Sequence, residues 1–598
     1  MNYRYPLYLL CASLSAPLPA QDLGQLEING IRAQFRSDGL IAYDPASTMS
    51  VMQIPPGGPS ALFSGGLWAS GIGPGQTVHT AAMTYGTDGS DFFPGPLTMD
   101  GSASITSDVS QQYDHVWRAN RSDIEAHITY FNCLGDPGCD PSEQFPDGYT
   151  VPSYFYDWPA MNPNPGYDPY LAPFYDFNAD GDYDPDDGDA PCILGDQALF
   201  FVFNDKLATH TQSGGLPLGL EVQAMPFAYT GADAALEQTV FIRYHVINRS
   251  SAQYVGARLG FYNDFDLGCA EDDFIGSDVG RNLTYIYNYD NTDEDCNSAP
   301  GFGEQPPAFG MTILKGPLLE PDGTDNVDVP ELAAFNGTGF NDGTMDNERH
   351  GLTNFIYYNR EGANCCNDPT VTLHYHRYMA NIWKDGTPMT YGGTGYDPGQ
   401  DSLQAVFMFP GDSDPLGLGV NGLPQQSWSE TTLSAPDRRG LSSMGPISLD
   451  PGEHVDLLMA YVYARAGNGG PLASVAALQQ RVDSVIAFAG TLPIWDTPEG
   501  SAFTGQCADY VSLSVKEETG AGLLHVFPVP AGDRVQLTAD PRLAGELLLI
   551  HDATGRIVAT HRLTQGLNDI DISSLARGMY SCEVRSAKAR YTGRLVKE

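Results

Sequence analysis

Apolar positions along this chain fall in short runs separated by glycine and proline. Val240, Ile242, Tyr244 and Val246 alternate with Phe241, Arg243, His245 and Ile247, which predicts a strand over 239–248 with one well-buried face. Ala198 to Phe203 is a continuous apolar run, as in a fully buried strand. Further strands are predicted over 28–35, 40–43, 62–68, 78–85, 220–228, 405–409, 447–449 and 455–463. Helical spacing is rarer. Ile124, His127 and Ile128 predict a helix over 123–130 capped by Ser122, and Val475, Leu478, Val482 and Val485 predict one over 474–488 capped by Ser474. Tyr375, Tyr378, Ile382 and Trp383 read as another helix, leading to Asp385. Residues 521–598 return to strands, over 523–527, 534–537, 546–551, 556–560, 578–585 and 591–596, at the spacing of a small β-sandwich. The fold class expected is mainly all-β: a multi-domain β-sandwich architecture with few short helices, ending in an Ig-like β-sandwich.

Composition divides this pattern into domains. The 598 residues carry 30 Lys+Arg against 74 Asp+Glu, a net charge of −44. Residues 521–598 hold 10 basic and 8 acidic residues, leaving the remainder at −46. Residues 1–20 pair Arg4 with a short apolar run and a Pro19-Ala20 cut, as a signal peptide does. The expected organisation is a signal peptide (1–20), a β-rich calcium-binding body of two or more subdomains (21–490), a linker (491–520) and a C-terminal domain (521–598). No stretch after residue 20 is long and apolar enough for a membrane helix. The acidic charge argues against nucleic acid and anionic membranes as partners, because both attract basic patches.

Exported chains oxidise their thiols, and ten Cys are present, nine without Cys11. Cys133 and Cys139 flank a turn and suit a small loop, and Cys269 and Cys296 bracket an acidic region. Adjacent Cys365 and Cys366 are each expected to pair elsewhere. Nine is odd, and Cys582, on a predicted buried strand, is the expected free thiol. The absence of any C-x-x-C pair argues against zinc.

The densest chemistry lies at 176–189. Asp176, Asn178, Asp180, Asp182 (through its carbonyl), Asp184 and Asp187 occupy positions 1, 3, 5, 7, 9 and 12 of a calcium loop, with Gly181 at its sharp turn. A hard cation taking six to eight oxygens suits this spacing, and so many close carboxylates repel one another without one. Position 12 is Asp rather than the longer Glu, and Pro169, Pro173 and Pro185 exclude flanking helices. Calcium is therefore expected as a staple between coil and the strand at 198–203. Asp264, Asp266, Asp272, Asp273 and Asp278 form a second candidate set, and Asp342, Asp346 and Glu348, around Gly343, a third. G-x-S-x-G, H-E-x-x-H and P-loop motifs are absent. A helix at 375–383 places His374 and His376 on different faces. Asp437-Arg438-Arg439 reads as a structural ion pair, with anion binding as its alternative, and Trp68, Trp117, Trp158 and Trp383 are candidates for sugar stacking or core.

Four blocks in order mark the C-terminus: Val526 to Pro530, Leu548 to Arg556, Ile570 to Tyr580, and Arg594 to Glu598. On these residues it resembles the type A sorting domain of type IX secretion cargo, with Val529 where Asn is usual. The resemblance implies passage through the periplasm, recognition of 521–598 by the translocon and sortase, and attachment to surface lipopolysaccharide or release. The body is similar to a family of large secreted cargo proteins at Phe63 to Trp68, Asp91 to Pro96, Gly195 to Gln197, Phe203 to Asp205, Asp385 to Gly392 and Phe409 to Asp412. That likeness implies architecture rather than chemistry. Two functional classes follow: a calcium-stabilised adhesive or structural surface protein with a glycan or protein ligand, and a secreted hydrolase acting on polysaccharide or peptide.

Overall fold

The computed structural model describes residues 21–492 and 522–597, apart from 88, 232, 297–298, 328–336, 361–362, 400–401, 431–436, 524–525, 528–530, 540–542, 544, 552–556 and 586–589. The expected signal peptide, and the expected linker from 493 onward, lie outside the described residues. Two compact units divide the chain, Met1–Gln506 and Cys507–Glu598.

The main strands of the body are β1 (Ser64–Gly73), β2 (Thr77–Ala82), β3 (Gln197–Asn204), β4 (Leu220–Ala228), β5 (Thr239–Asn248), β6 (Tyr254–Asp264), β7 (Asp273–Asp278), β8 (Leu283–Asn288), β9 (Ala308–Lys315), β10 (Asn354–Asn359), β11 (Arg438–Leu449) and β12 (His454–Ala464). One sheet runs β7-β8-β9-β12-β5-β4-β3, completed by the short strands Phe93–Pro94 and Trp117–Asn120. The other runs β10-β11-β6-β1-β2. All these pairings are antiparallel.

The period-two pattern of β5 explains how the layers meet. Val240, Ile242, Tyr244 and Val246 enter a core shared by both sheets, where the Tyr244 ring lies 5.3 Å from Phe261 of β6. On β12, Tyr461 stacks against Phe309 of β9 and its hydroxyl donates to Asn263 Oδ1 at 2.5 Å. The opposite face of β5 is covered at one end, where Phe241 meets Phe488 of a helix at 6.0 Å. Both faces are therefore buried along the whole strand. Trp68, Trp117, Trp158 and Trp383 are all buried, so the core reading holds for each rather than sugar stacking.

Three longer helices accompany the sheets: α1 (Arg121–Gly135), α2 (Thr372–Met379) and α3 (Pro471–Ala489). α1 starts behind Asn120 rather than Ser122. α3 starts behind Gly470, with Pro471 in the first turn, where its missing N–H costs nothing. Ser474 is thus no cap. It is buried inside the helix, accepts the Ala466 N–H at 3.1 Å and donates to the Pro306 carbonyl at 2.7 Å. Ser474→Ala strands both groups and is expected to cost about 1–3 kcal/mol, read as a lower urea midpoint of the body. The predicted strand at 405–409 makes only an isolated bridge, Phe355 to Phe407. The one at 40–43 is interrupted at Ala42, whose φ of 67° leaves the extended region.

Cys133–Cys139 and Cys269–Cys296 are bonded as their positions suggested. Cys365 and Cys366 are bonded to each other, contrary to the expectation of separate partners. Cys192 is also disulfide-bonded. Among the described residues Cys582 is the free, buried thiol, and burial pushes its pKa up to about 11.

The C-terminal unit is a small sandwich. One sheet holds Gly522–Leu523, Arg590–Lys597, Gly578–Arg585, Leu547–His551 and Ile557–Arg562, and the other Val526–Phe527, Arg534–Ala539 and Gly566–Asp571. Val535, Leu537 and Ile570 of one meet Leu548, Ile550, Val584 and Leu595 of the other in a core of its own.

Candidate metal centres

The 176–187 loop is closed at its base by a two-residue ladder, Phe174–Pro191 and Tyr175–Ala190. Inside it, Asp176 accepts the N–H groups of Asp180 at 3.3 Å and Gly181 at 3.0 Å. Asn178 accepts from Asp180 at 3.0 Å, and Asp180 from Asp182 at 2.9 Å. Gly181 turns the chain at φ 86°, a conformation that costs a residue without Cβ little. Asp184 opens a short 3-10 turn, Pro185–Asp187, by accepting from Asp186 at 2.9 Å. Sequence reasoning left out the brace of this loop. Asp189 is buried and accepts from Phe177 at 2.7 Å and Asp184 at 2.8 Å, joining the two limbs. Asp180, Asp182, Asp184 and Asp187 stay exposed. Three carboxylate or imidazole donors of this loop do not lie within 4.8 Å of one another; among the described residues such convergence occurs at two other places.

One of them draws on the second candidate set. Asp264 ends β6, opposite Arg439 of β11 and Ser64 of β1. Its register brings Asp437, which precedes β11, beside Asp264 and Asp266, with donor oxygens of all three within 4.8 Å of one another. A polar frame surrounds them. Tyr85 donates to Asp264 Oδ2 at 2.6 Å and accepts from Tyr262 at 2.7 Å and from Arg439 Nη2 at 2.9 Å. Arg439 also bonds Asp437 through Nη1 and lies 3.4 Å from Asp264. One guanidinium thus faces three carboxylates, and Asp368 lies 3.9 Å from its Nε.

The charge is under-compensated. Oδ1 of Asp264 and Oδ1 of Asp266 are both buried without any hydrogen-bond donor. Burial, outweighing Arg439, raises the Asp264 pKa to about 7, and burial with the neighbouring Asp264 and Asp437 charges pushes Asp266 well above the carboxylate range. Such groups are costly unless protonated or paired with a cation.

The rest of that set separates. Asp272 and Asp273 face Asp293 beside the Cys269–Cys296 bridge; burial raises Asp272 to about 7 and Asp293 to about 6. Asp273 accepts the Leu267 N–H and Asp272 the Asn288 amide, yet each keeps a buried Oδ1 without a donor. Asp278 stands apart, held by Arg281 at 2.9 Å and Gln479 at 2.8 Å. In the third set the carboxylates serve as turn braces: Asp342 accepts from Thr344, Asp346 from Asp322 and Gly323, and Glu348 from Asn326. Arg438 pairs with Glu430 and lies 4.9 Å over the Tyr357 ring, so the 437–439 tripeptide is an ion-pair element. Asp437 carried no local signal as a ligand. Only the β6–β11 register brings it to Asp264. On α2, His376 bonds Ser70 at 2.7 Å while His374 lies beside Thr370, so the two imidazoles diverge.

Comparison with known proteins bears on the two units differently. No curated protein matches the sequence. A solved polysaccharide lyase aligns over 63% of this chain and 34% of its own, at 7% identity and a TM-score of 0.17, too low to carry an argument. The chain spans about a third of that protein's length. No described helix is long and apolar enough to cross a membrane. Residues 525–598 match the secretion system C-terminal sorting domain. The chain is therefore a cargo protein of the type IX secretion system, carrying the domain that directs export to the outer cell surface or beyond it.

Proposed function

We propose that the body is a calcium-stabilised surface protein with an adhesive or structural role, binding a glycan or protein ligand outside the cell. The observation that carries this reading is the pair of buried, donor-free oxygens on Asp264 and Asp266, converging with Asp437. An all-oxygen, strongly anionic set suits a hard divalent cation. Its position supports a staple: the ion would tie the end of β6 to the start of β11, within the sheet that carries Trp68. The 176–187 loop is the second proposed calcium site, fastening the coil before β3.

The test compares thermal unfolding of the secreted body in calcium and in chelator. Calcium at one hundred times its dissociation constant is expected to stabilise by about 2.7 kcal/mol for each site. Asp266→Asn is expected to lose that gain at the buried site yet to exceed the parent in chelator, because the cost of burying or protonating that carboxylate is gone. Asp180→Ala reports on the loop separately and removes only its own share. Equal melting in calcium and chelator overturns the staple. Glycan-array and protein pulldown screens of residues 21–520, with and without calcium, test the adhesive role, which fails if nothing binds in either condition.

A further inference from the structure

The second place where metal-binding side chains converge lies on the other face of the large sheet. β5 and β12 are antiparallel, with His245 opposite Asp456 and Ile247 opposite His454. Because side chains alternate, His245, His454 and Asp456 stand on one face, away from the shared core that Tyr244 and Val246 enter. α3 covers the Phe241 end of that face. At the other end, His454 and Asp456 line a cleft of about 110 Å³, walled by Leu318, Glu320, Asp346, Arg349, Ser448 and Glu453. That exceeds the roughly 10–15 Å³ of such space that a single water needs.

We propose that His245, His454 and Asp456 form a site for a zinc-class transition metal ion, with one coordination position open to this cleft. The reading is independent of the calcium proposal, since imidazole nitrogens select borderline metals and calcium takes oxygens. Donor atoms of the three residues lie within 4.8 Å of one another. Tetrahedral ligands about 2.1 Å from an ion stand roughly 3.4 Å apart, so side-chain shifts of about 1 Å close the set.

The hydrogen bonds already orient the carboxylate. Arg243 Nη2 and His245 Nδ1 both meet Asp456 Oδ1 at 3.0 Å, while Oδ2 faces His454 Nε2 at 3.7 Å. Arg243 then serves as the outer partner that ligating carboxylates commonly have, leaving Oδ2 for the ion. Two guanidiniums, Arg243 and Arg349, oppose a cation here. They are outnumbered by Glu320, Asp346, Glu453 and Asp456 on the same cleft, which leaves two negative charges over. The expectation against zinc rested on cysteine spacing, and a cross-strand imidazole–carboxylate set leaves no such spacing to read.

The test titrates the full-length secreted protein with Co²⁺ in excess calcium. The expected result is one equivalent bound, with a visible d–d band abolished by one equivalent of Zn²⁺. His454→Gln, at a partly exposed position, is expected to weaken Co²⁺ binding roughly 100-fold or more, while Asp266→Asn leaves the band unchanged. No band, or a band unaltered in folded His454→Gln, overturns the site. A measurement on the unaltered chain guards against misfolding of the variant: Zn²⁺ should protect His454 from imidazole acylation mapped by mass spectrometry, and equal labelling with and without Zn²⁺ also overturns it.

Discussion

Arg439→Met is expected to destabilise the calcium-free body by about 3–5 kcal/mol, as breaking a buried ion-pair network does when the partner charges remain. Methionine keeps much of the volume, so the loss measures charge rather than packing. Arg439 is the cation shared by Asp264 and Asp437 and bonded to the Tyr85 hydroxyl, with its side chain only 4% exposed. Without it, the buried Asp264 carboxylate keeps the Tyr85 hydroxyl as its hydrogen-bond donor among the described residues, and no cation. The pH dependence gives a second signature. Asp264, Asp272 and Asp293 have folded pKa values raised by burial to about 7, 7 and 6. Between the ordinary carboxylate value and these values the folded state binds more protons than the unfolded state, so in chelator stability falls as pH rises through about 4 to 7. Arg439→Met is expected to steepen that fall, and calcium to flatten it in the parent. Urea midpoints at pH 5 and pH 7, with and without calcium, check both. A variant as stable as the parent at pH 7 in chelator contradicts the charge account of this centre.

Deletion of 525–598 is expected to leave a folded body that no longer reaches the outer surface. The two units have separate hydrophobic cores, and burying its own core is what lets a domain fold alone. Surface protease accessibility and cell fractionation read the outcome: the truncated chain should stay protected in the periplasm while the full chain is accessible. Surface exposure of the truncated chain would show that an export signal lies elsewhere.

Elements with strong local period were legible in the sequence. The boundaries of β4 and β5 match the predicted ones, because branched and aromatic residues there alternate or run without a break. Strands β6, β7 and β8 drew no prediction. The apolar residues of β6 and β7 are interrupted by Gly256, Gly260, Gly276 and by aspartates that read as surface turns, although Asp264 and Asp273 are buried. Ser474 looked like a cap because a hydroxyl before a hydrophobic stripe caps many helices; its burial against the Pro306 carbonyl depends on where β9 lies. Adjacent Cys365 and Cys366 read as partners of other thiols, because a bridge between neighbours is strained, and the structure joins them to each other.

Local chemistry, then, was the sequence's own: the sheet-forming period, the sorting tail, and the spacing of the 176–187 loop, whose turn is closed by hydrogen bonds between residues near in the chain. Tertiary structure alone decided which of 74 acids come together. Asp437 reaches Asp264 and Asp266 through the antiparallel register of β6 and β11, and His245 reaches His454 and Asp456 through that of β5 and β12. Register is set by the burial of whole strand faces, a balance summed over distant segments, and no local window of residues contains it.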